Sequence, residues 1–146
     1  MSLDERNLIS VAFKNLVSSK RTAWRTVFSV QSNPRYLLFQ SSILEYKTKL
    51  EDGLFEDCSN IIAMIQINIL KKKCNDEAKA FFTKLVADNH RYIAEMSTSE
   101  RKMKAVEDAR LAYEQASLIP LPGCSPIKLS ISLNMSVFFY EVQHDL

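Results

Sequence analysis

The chain has 146 residues, 47% of them hydrophobic and 25% charged, with a formal net charge of +2. That balance suits one globular unit and excludes a disordered chain. So small a charge argues against nucleic acid or an anionic membrane as partner, and any anion site has to be local. With 2 glycines and 4 prolines the chain lacks the turn residues that sheets require, so long helices are expected.

In chain order, Ser2 and Glu5 have the spacing of a capping box. Leu8, Ile9, Ala12, Phe13, Leu16 and Val17 then recur at helical intervals, extended by Trp24, Val27 and Phe28. A first helix of about 25 residues follows, roughly 40 Å long, broken at Pro34 because proline disfavours helix in the residue before it. A second helix is expected from about Tyr36 to Lys73, bent near Gly53 and closed by the basic run Lys71, Lys72 and Lys73, which suits a helix C-terminus. Asn75 is a suitable N-cap for a third helix running through Phe81, Phe82, Leu85, Tyr92 and Ile93 to Met96.

Ser97 and Glu100 offer another capping box, and Met103, Val106, Ala109, Tyr113 and Ala116 form the stripe of a fourth helix that Pro120 stops. The final segment carries two signals. Ile127, Leu129, Ile131, Leu133, Met135 and Val137 alternate with polar residues, which is a strand pattern. Ser125 and Pro126 instead resemble an N-cap followed by proline at the first helical position.

The cysteines, Cys58, Cys74 and Cys124, are odd in number and widely spaced, which predicts reduced thiols with no disulfide frame and no metal site. No stretch resembles a signal peptide or is long enough to cross a bilayer, so a cytoplasmic location is expected. His90 and His144 have no nucleophile motif nearby, and there is no Gly-rich phosphate loop or HExxH. No enzyme activity and no cofactor are expected. A cysteine- or histidine-dependent hydrolase stands as the weakest alternative.

Two constellations could hold an anion. Lys14, Ser18, Arg21 and Arg25 line up on one face of the first helix, where like charges repel unless a carboxylate or bound anion neutralises them. In the third helix Asp88 and Glu95 lie three residues before and four after Arg91, and both can hold its guanidinium in one orientation. Arginine offers a planar fork matched to phosphate, and the Tyr92 hydroxyl can add a bond. A solvated basic face and an intrahelical ion-pair ladder explain the same residues without a ligand.

Several longer segments resemble the 14-3-3 family. Residues 3–17, LDERNLISVAFKNLV, with KRTAWR at 20–25, resemble the family's ERNLLSVAYKN and RRxSWR. Phe81 and Phe82 followed by RYIAE at 91–95 resemble its RYLAE helix. AYEQA at 112–116, SPIKL at 125–129 and LNMSVFFYE at 133–141 resemble its AYQEA and HPIRLGLALNFSVFYYEI segments. Residues 36–73 are the most divergent.

The resemblance implies an all-α, antiparallel helical array forming one side of an amphipathic groove, with residues 1–146 a single domain incomplete at both ends. It covers the family's third through seventh helices, leaving out much of a dimer floor and part of the groove wall. It also implies that the alternating segment is helical over 125–142, since a lone strand among helices has no partner.

For function the resemblance implies a phosphoserine- or phosphothreonine-dependent adaptor that holds phosphorylated client proteins and, at full length, forms homo- or heterodimers. Lys14, Arg21, Arg91 and Tyr92 are the implied phosphate pocket. Asn134 is the implied holder of the ligand backbone, Leu133 and Val137 the apolar side of the groove, and Lys84 and Glu141 its polar edge. A phosphorylated residue brings about −1.5 to −2 charge and three acceptor oxygens, and each charge-assisted bond contributes about 1.5–3 kcal/mol. A dimer-forming or structural remnant without phosphopeptide binding is the alternative. The chain departs from the family pattern at Ser130 (usually glycine), at Asn89 and His90 (a tyrosine pair) and at Ala23 (commonly serine).

Overall fold

The computed structural model describes residues 2–143; His144 lies outside them. The elements are α1 (Leu3–Gln31), a 3-10 segment (Pro34–Phe39), α2 (Gln40–Ile65), α3 (Asp76–Met96), α4 (Ser99–Ser117) and α5 (Pro126–Phe138). One wide π turn, Gln66–Leu70, prolongs α2, and another, Phe139–Gln143, prolongs α5.

The capping box opens α1 as expected: Glu5 N–H donates to Ser2 Oγ at 3.2 Å, and Ser2 N–H donates to Glu5 Oε2 at 2.7 Å. The helix outruns the predicted length, ending at Gln31 just ahead of Pro34. Its apolar stripe divides. Val17 and Trp24 are buried, Ile9 and Phe13 pack at the edge of the core, and Leu8, Leu16 and Phe28 remain largely exposed.

The expected second helix needs correction at both ends and in its middle. Its first turn is 3-10, with Asn33 Oδ1 accepting from Arg35 N–H ahead of Pro34, and regular α-helix starts only at Gln40. Its C-terminal part ends at Leu70, so the lysine run follows the helix and does not close it. Nor is there a bend at Gly53, which sits inside unbroken α2 with its carbonyl accepting from Lys20 Nζ at 3.3 Å. The same ammonium lies 2.6 Å from Asp57, and Trp24 Nε1 donates to Glu51 at 2.9 Å. Together these pairs lock α1 and α2 antiparallel. Leu54, Cys58, Ile61, Ile62 and Ile65 form the inner face of α2. Burial first, and then the charge of Asp57, push the Cys58 thiol up to about 12. Cys74 is half-buried and Cys124 exposed, and none of the three is bridged.

Asn75 caps α3 as its sequence suggests, accepting from Ala78 N–H at 2.9 Å. This helix is the centre of the fold, buried on nearly every side through Ala80, Phe82, Val86, Ala87, Ile93 and Ala94. Parallel to it run α1, paired through Arg6–Glu77 and Arg21–Glu95, and α5, paired through Asp88–Asn134 and Arg91–Glu141. The N-cap of α4 is Thr98 rather than Ser97, and no side-chain cap bond forms there. Ala105, Ala109, Ala112 and Ala116 then line one face of α4 at helical spacing. Residues this small suit close packing, and the α3–α4 contact is the most extensive between any two helices.

The last segment is helical, not a strand. Ile127, Ile131 and Phe138 turn inward while Leu129 and Leu133 face out. The alternation therefore serves two faces of a helix. Phe138 packs on the Tyr113 ring, centroids 5.6 Å apart, and each buried side chain of this size contributes about 1.5–3 kcal/mol.

Candidate functional site

Where α1, α3 and α5 face one another they enclose a cleft of about 280 Å³. Its walls carry Ser10 and Lys14 from α1, Lys84, Asp88 and Tyr92 from α3, and Asn134 from α5. Tyr92 connects this cleft to the arginines. The Arg21 guanidinium stacks 3.8 Å from its ring centroid, and that of Arg91 lies 4.8 Å away. Contacts of that kind fix both forks in place.

The carboxylates do not hold Arg91 in the way the spacing suggested. Glu95 turns to α1, where Arg21 Nη2 donates to it at 2.7 Å and Arg25 reaches its other oxygen through both Nε and Nη2. The bridge therefore runs between two helices and not along one. Burial alone raises the Glu95 carboxyl, but bonds and charge from Arg21 and then Arg25 outweigh it and hold the group below the usual carboxylate range.

Asp88 is likewise spoken for. Tyr113 donates its hydroxyl to Oδ1 at 2.5 Å, Asn134 Nδ2 donates to the same oxygen at 2.8 Å, and Lys84 Nζ donates to Oδ2 at 2.7 Å. Arg91 is held instead by Tyr113, whose oxygen accepts from Nε at 3.3 Å, and by Glu141, 3.5 Å from Nη1. Burial works against the Arg91 charge, but Tyr113 and Asp88 more than offset it and keep the guanidinium firmly protonated. Burial, then Asp88, raises the Tyr92 hydroxyl, which stays a neutral donor.

Lys14, Arg21, Arg91, Tyr92, Lys84, Asn134 and Glu141 thus belong to one connected cluster. Leu133 and Val137 do not join it: Leu133 is largely exposed, Val137 half-buried, and neither lines this cleft. Tyr113 is the member that sequence reasoning missed. Its place in an apolar α4 stripe reads as core, and only its hydroxyl, a polar group obliged to find a partner when buried, hints at more.

The cluster sets five cations, Lys14, Arg21, Arg25, Lys84 and Arg91, against the three carboxylates Asp88, Glu95 and Glu141. Lys14 has no ion pair among the described residues, and Arg21 Nε is buried without a hydrogen-bond partner. Such an arrangement has donors and positive charge to spare for an anionic group.

The 14-3-3 family model matches residues 1–146. Among curated proteins, a 14-3-3-like protein of Fucus vesiculosus is 36% identical over 145 residues, the alignment covering 97% of this chain and 58% of that protein. The 14-3-3 protein zeta of Bombyx mori is 37% identical, with 97% and 59% covered. The 14-3-3-like protein B of Glycine max is 36% identical, with 97% and 60% covered. The chain therefore spans less than two thirds of the length of these relatives.

Proposed function

Because the chain belongs to the 14-3-3 family, we propose that it serves as a non-catalytic adaptor that grips phosphoserine or phosphothreonine in a client protein. Residues 1–146 act as one helical unit in this reading, and the setting is cytoplasmic. No helix among the described residues is long and apolar enough to cross a membrane.

The observation that carries the reading is the surplus of donors around Tyr92. A phosphate dianion placed beside its hydroxyl meets the forks of Arg21 and Arg91, both already oriented by stacking on the same ring, and the ammonium of Lys14 across the cleft. The excess of two positive charges in the cluster matches the roughly −1.5 to −2 of a phosphorylated side chain. Asn134, one amide bond away from Asp88, is placed to exchange that bond for the backbone of a ligand. Lys84 and Glu141 form the polar rim.

Titration with matched phosphorylated and unphosphorylated peptides tests the proposal. Selective binding that Arg91→Ala abolishes is the expected result; equal, weak binding of both peptides by both proteins overturns it.

One observation favours the second reading, a self-associating structural element without phosphate selectivity. Leu37 and Leu38 are 66% and 94% exposed, and Leu8 on α1 is 71% exposed. Apolar surface on this scale seeks a cover. Sedimentation with and without phosphopeptide separates the two readings, since only this one gives association with no peptide preference.

A further inference from the structure

On the side of α3 away from the cleft lies a second, unrelated cavity. Residues 90 and 93 point there while residues 88 and 92 serve the cleft, as the helical repeat requires. This cavity, about 270 Å³ and open to solvent on one side, is lined by Ile62 and Ala63 of α2, Ile93 of α3 and Ala105 of α4, and its walls are mostly apolar. Its charged and titratable groups come from α3 and α4, and the uncharged Ser59 and Gln66 face them from α2 and its π turn. His90 and the part-exposed Asp108 line it, Nδ1 to Oδ2 3.9 Å, together with the exposed Arg101 and Lys104. The Arg101 guanidinium lies over Phe55, 4.5 Å from the ring centroid, and bonds the exposed Asp52 at 3.2 Å. Lys104 has no ion pair among the described residues.

We propose that this cavity binds a small amphipathic monocarboxylate, its ring or branched body against Ile62, Ile93 and Ala105 and its carboxylate between Lys104 and Arg101. The volume is at the small end of ligand cavities and suits a body of about ten non-hydrogen atoms. The mouth selects the sign of charge. Two cations, Arg101 and Lys104, stand there against the one carboxylate of Asp108, and Asp52 is turned out to solvent on Arg101. A cationic ligand meets repulsion there, whereas an anion supplies Lys104 with the counter-charge it lacks.

His90 departs from the tyrosine of the family pattern, and its imidazole is the smaller side chain. The charged and titratable groups facing His90 are Asp108 and Lys104 of α4, with uncharged Gln66 opposite on α2. Burial first, and then Lys104, set against Asp108, hold the imidazole neutral at pH 7. A carboxylate bound at Lys104 offsets the charge of that cation and shifts the balance toward the proton.

The test is a titration of the full chain with 4-phenylbutyrate, read by the ring resonances of His90 and by calorimetry. Saturable binding is expected, with a rise in the pH at which His90 titrates. 4-Phenylbutan-1-ol, of the same shape without the charge, is expected to bind about tenfold more weakly, and Lys104→Gln to weaken the acid about fivefold. His90→Tyr is expected to abolish binding by filling the cavity while leaving phosphopeptide binding intact. Shifts that never saturate, equal binding of acid and alcohol, or unchanged affinity in both variants overturns the proposal.

Discussion

The Tyr113 hydroxyl lies 2.5 Å from Asp88 Oδ1 and accepts from Arg91 Nε at 3.3 Å, so one phenol links an acid and a base of the cluster that share no direct hydrogen bond. All three are buried. Tyr113→Phe keeps the ring packed against Phe138 but leaves Asp88 and Arg91 each short of a partner. The expected loss is about 1–3 kcal/mol in urea denaturation. A loss under about 0.5 kcal/mol means that water or rearrangement replaces the hydroxyl.

Lys14 and Arg91 separate binding from stability. Lys14 is exposed and unpaired among the described residues, so Lys14→Ala is expected to leave the denaturation midpoint unchanged and to weaken a phosphopeptide about tenfold or more. Arg91→Lys keeps the charge but loses the fork, the stacking on Tyr92 and the bond to Tyr113. Its phosphopeptide affinity is expected to fall nearly as far as that of Arg91→Ala. Retention of wild-type affinity in the lysine variant argues that the phosphate meets only a point charge.

Glu95 gives a signed pH effect. Its folded carboxyl lies below the ordinary value of 4.5, so the stability it contributes is fully present above that pH and is lost as pH falls through the depressed value. In Glu95→Gln this component disappears. The variant is less stable than the parent at pH 7, and the gap is expected to narrow steadily below pH 4.5. Parallel stability curves for the two proteins between neutral and acid pH rule out this role for the Arg21–Glu95–Arg25 bridge.

Gly53 is a helix-interior residue with ordinary backbone geometry, and an added Cβ meets only the Lys20 side chain, Nζ at 3.5 Å and Cε at 3.9 Å. Alanine there removes backbone freedom from the unfolded chain and adds no clash. Gly53→Ala is expected to stabilise the protein by about 0.5–1 kcal/mol, read as a rise in thermal midpoint. A destabilised variant signals that Lys20 cannot keep its bond to the Gly53 carbonyl.

The helical class, the starts of α1 and α3 and the proline-enforced end of α1 were legible from caps and periodicity, because those signals act within one turn of chain. The start of α2 was not. Nothing local distinguishes the 3-10 turn at Pro34–Phe39 from the α-helix that follows it. Alternation in α5 pointed to a strand, and only packing against α3 and α4 decides that Ile127 and Ile131 belong on one helical face. At the site, residue spacing found the cations but mispaired them. It treated Glu95 and Asp88 as partners of Arg91 within α3, whereas tertiary neighbours on α1, α4 and α5 claim both acids.

The burial of α3 on nearly every face has a consequence for how the molecule breathes. Its central amides, enclosed by the alanine seam of α4 on one side and by Leu54, Cys58 and Ile61 of α2 on another, are expected to exchange with deuterium only when the whole structure opens. The helices that bring Lys14 and Asn134 to the cleft have wide exposed faces and open in smaller, cheaper fluctuations. A ligand spanning the cleft therefore slows exchange in α1 and α5 first, while the floor of the site, already the slowest clock in the protein, barely changes its rate.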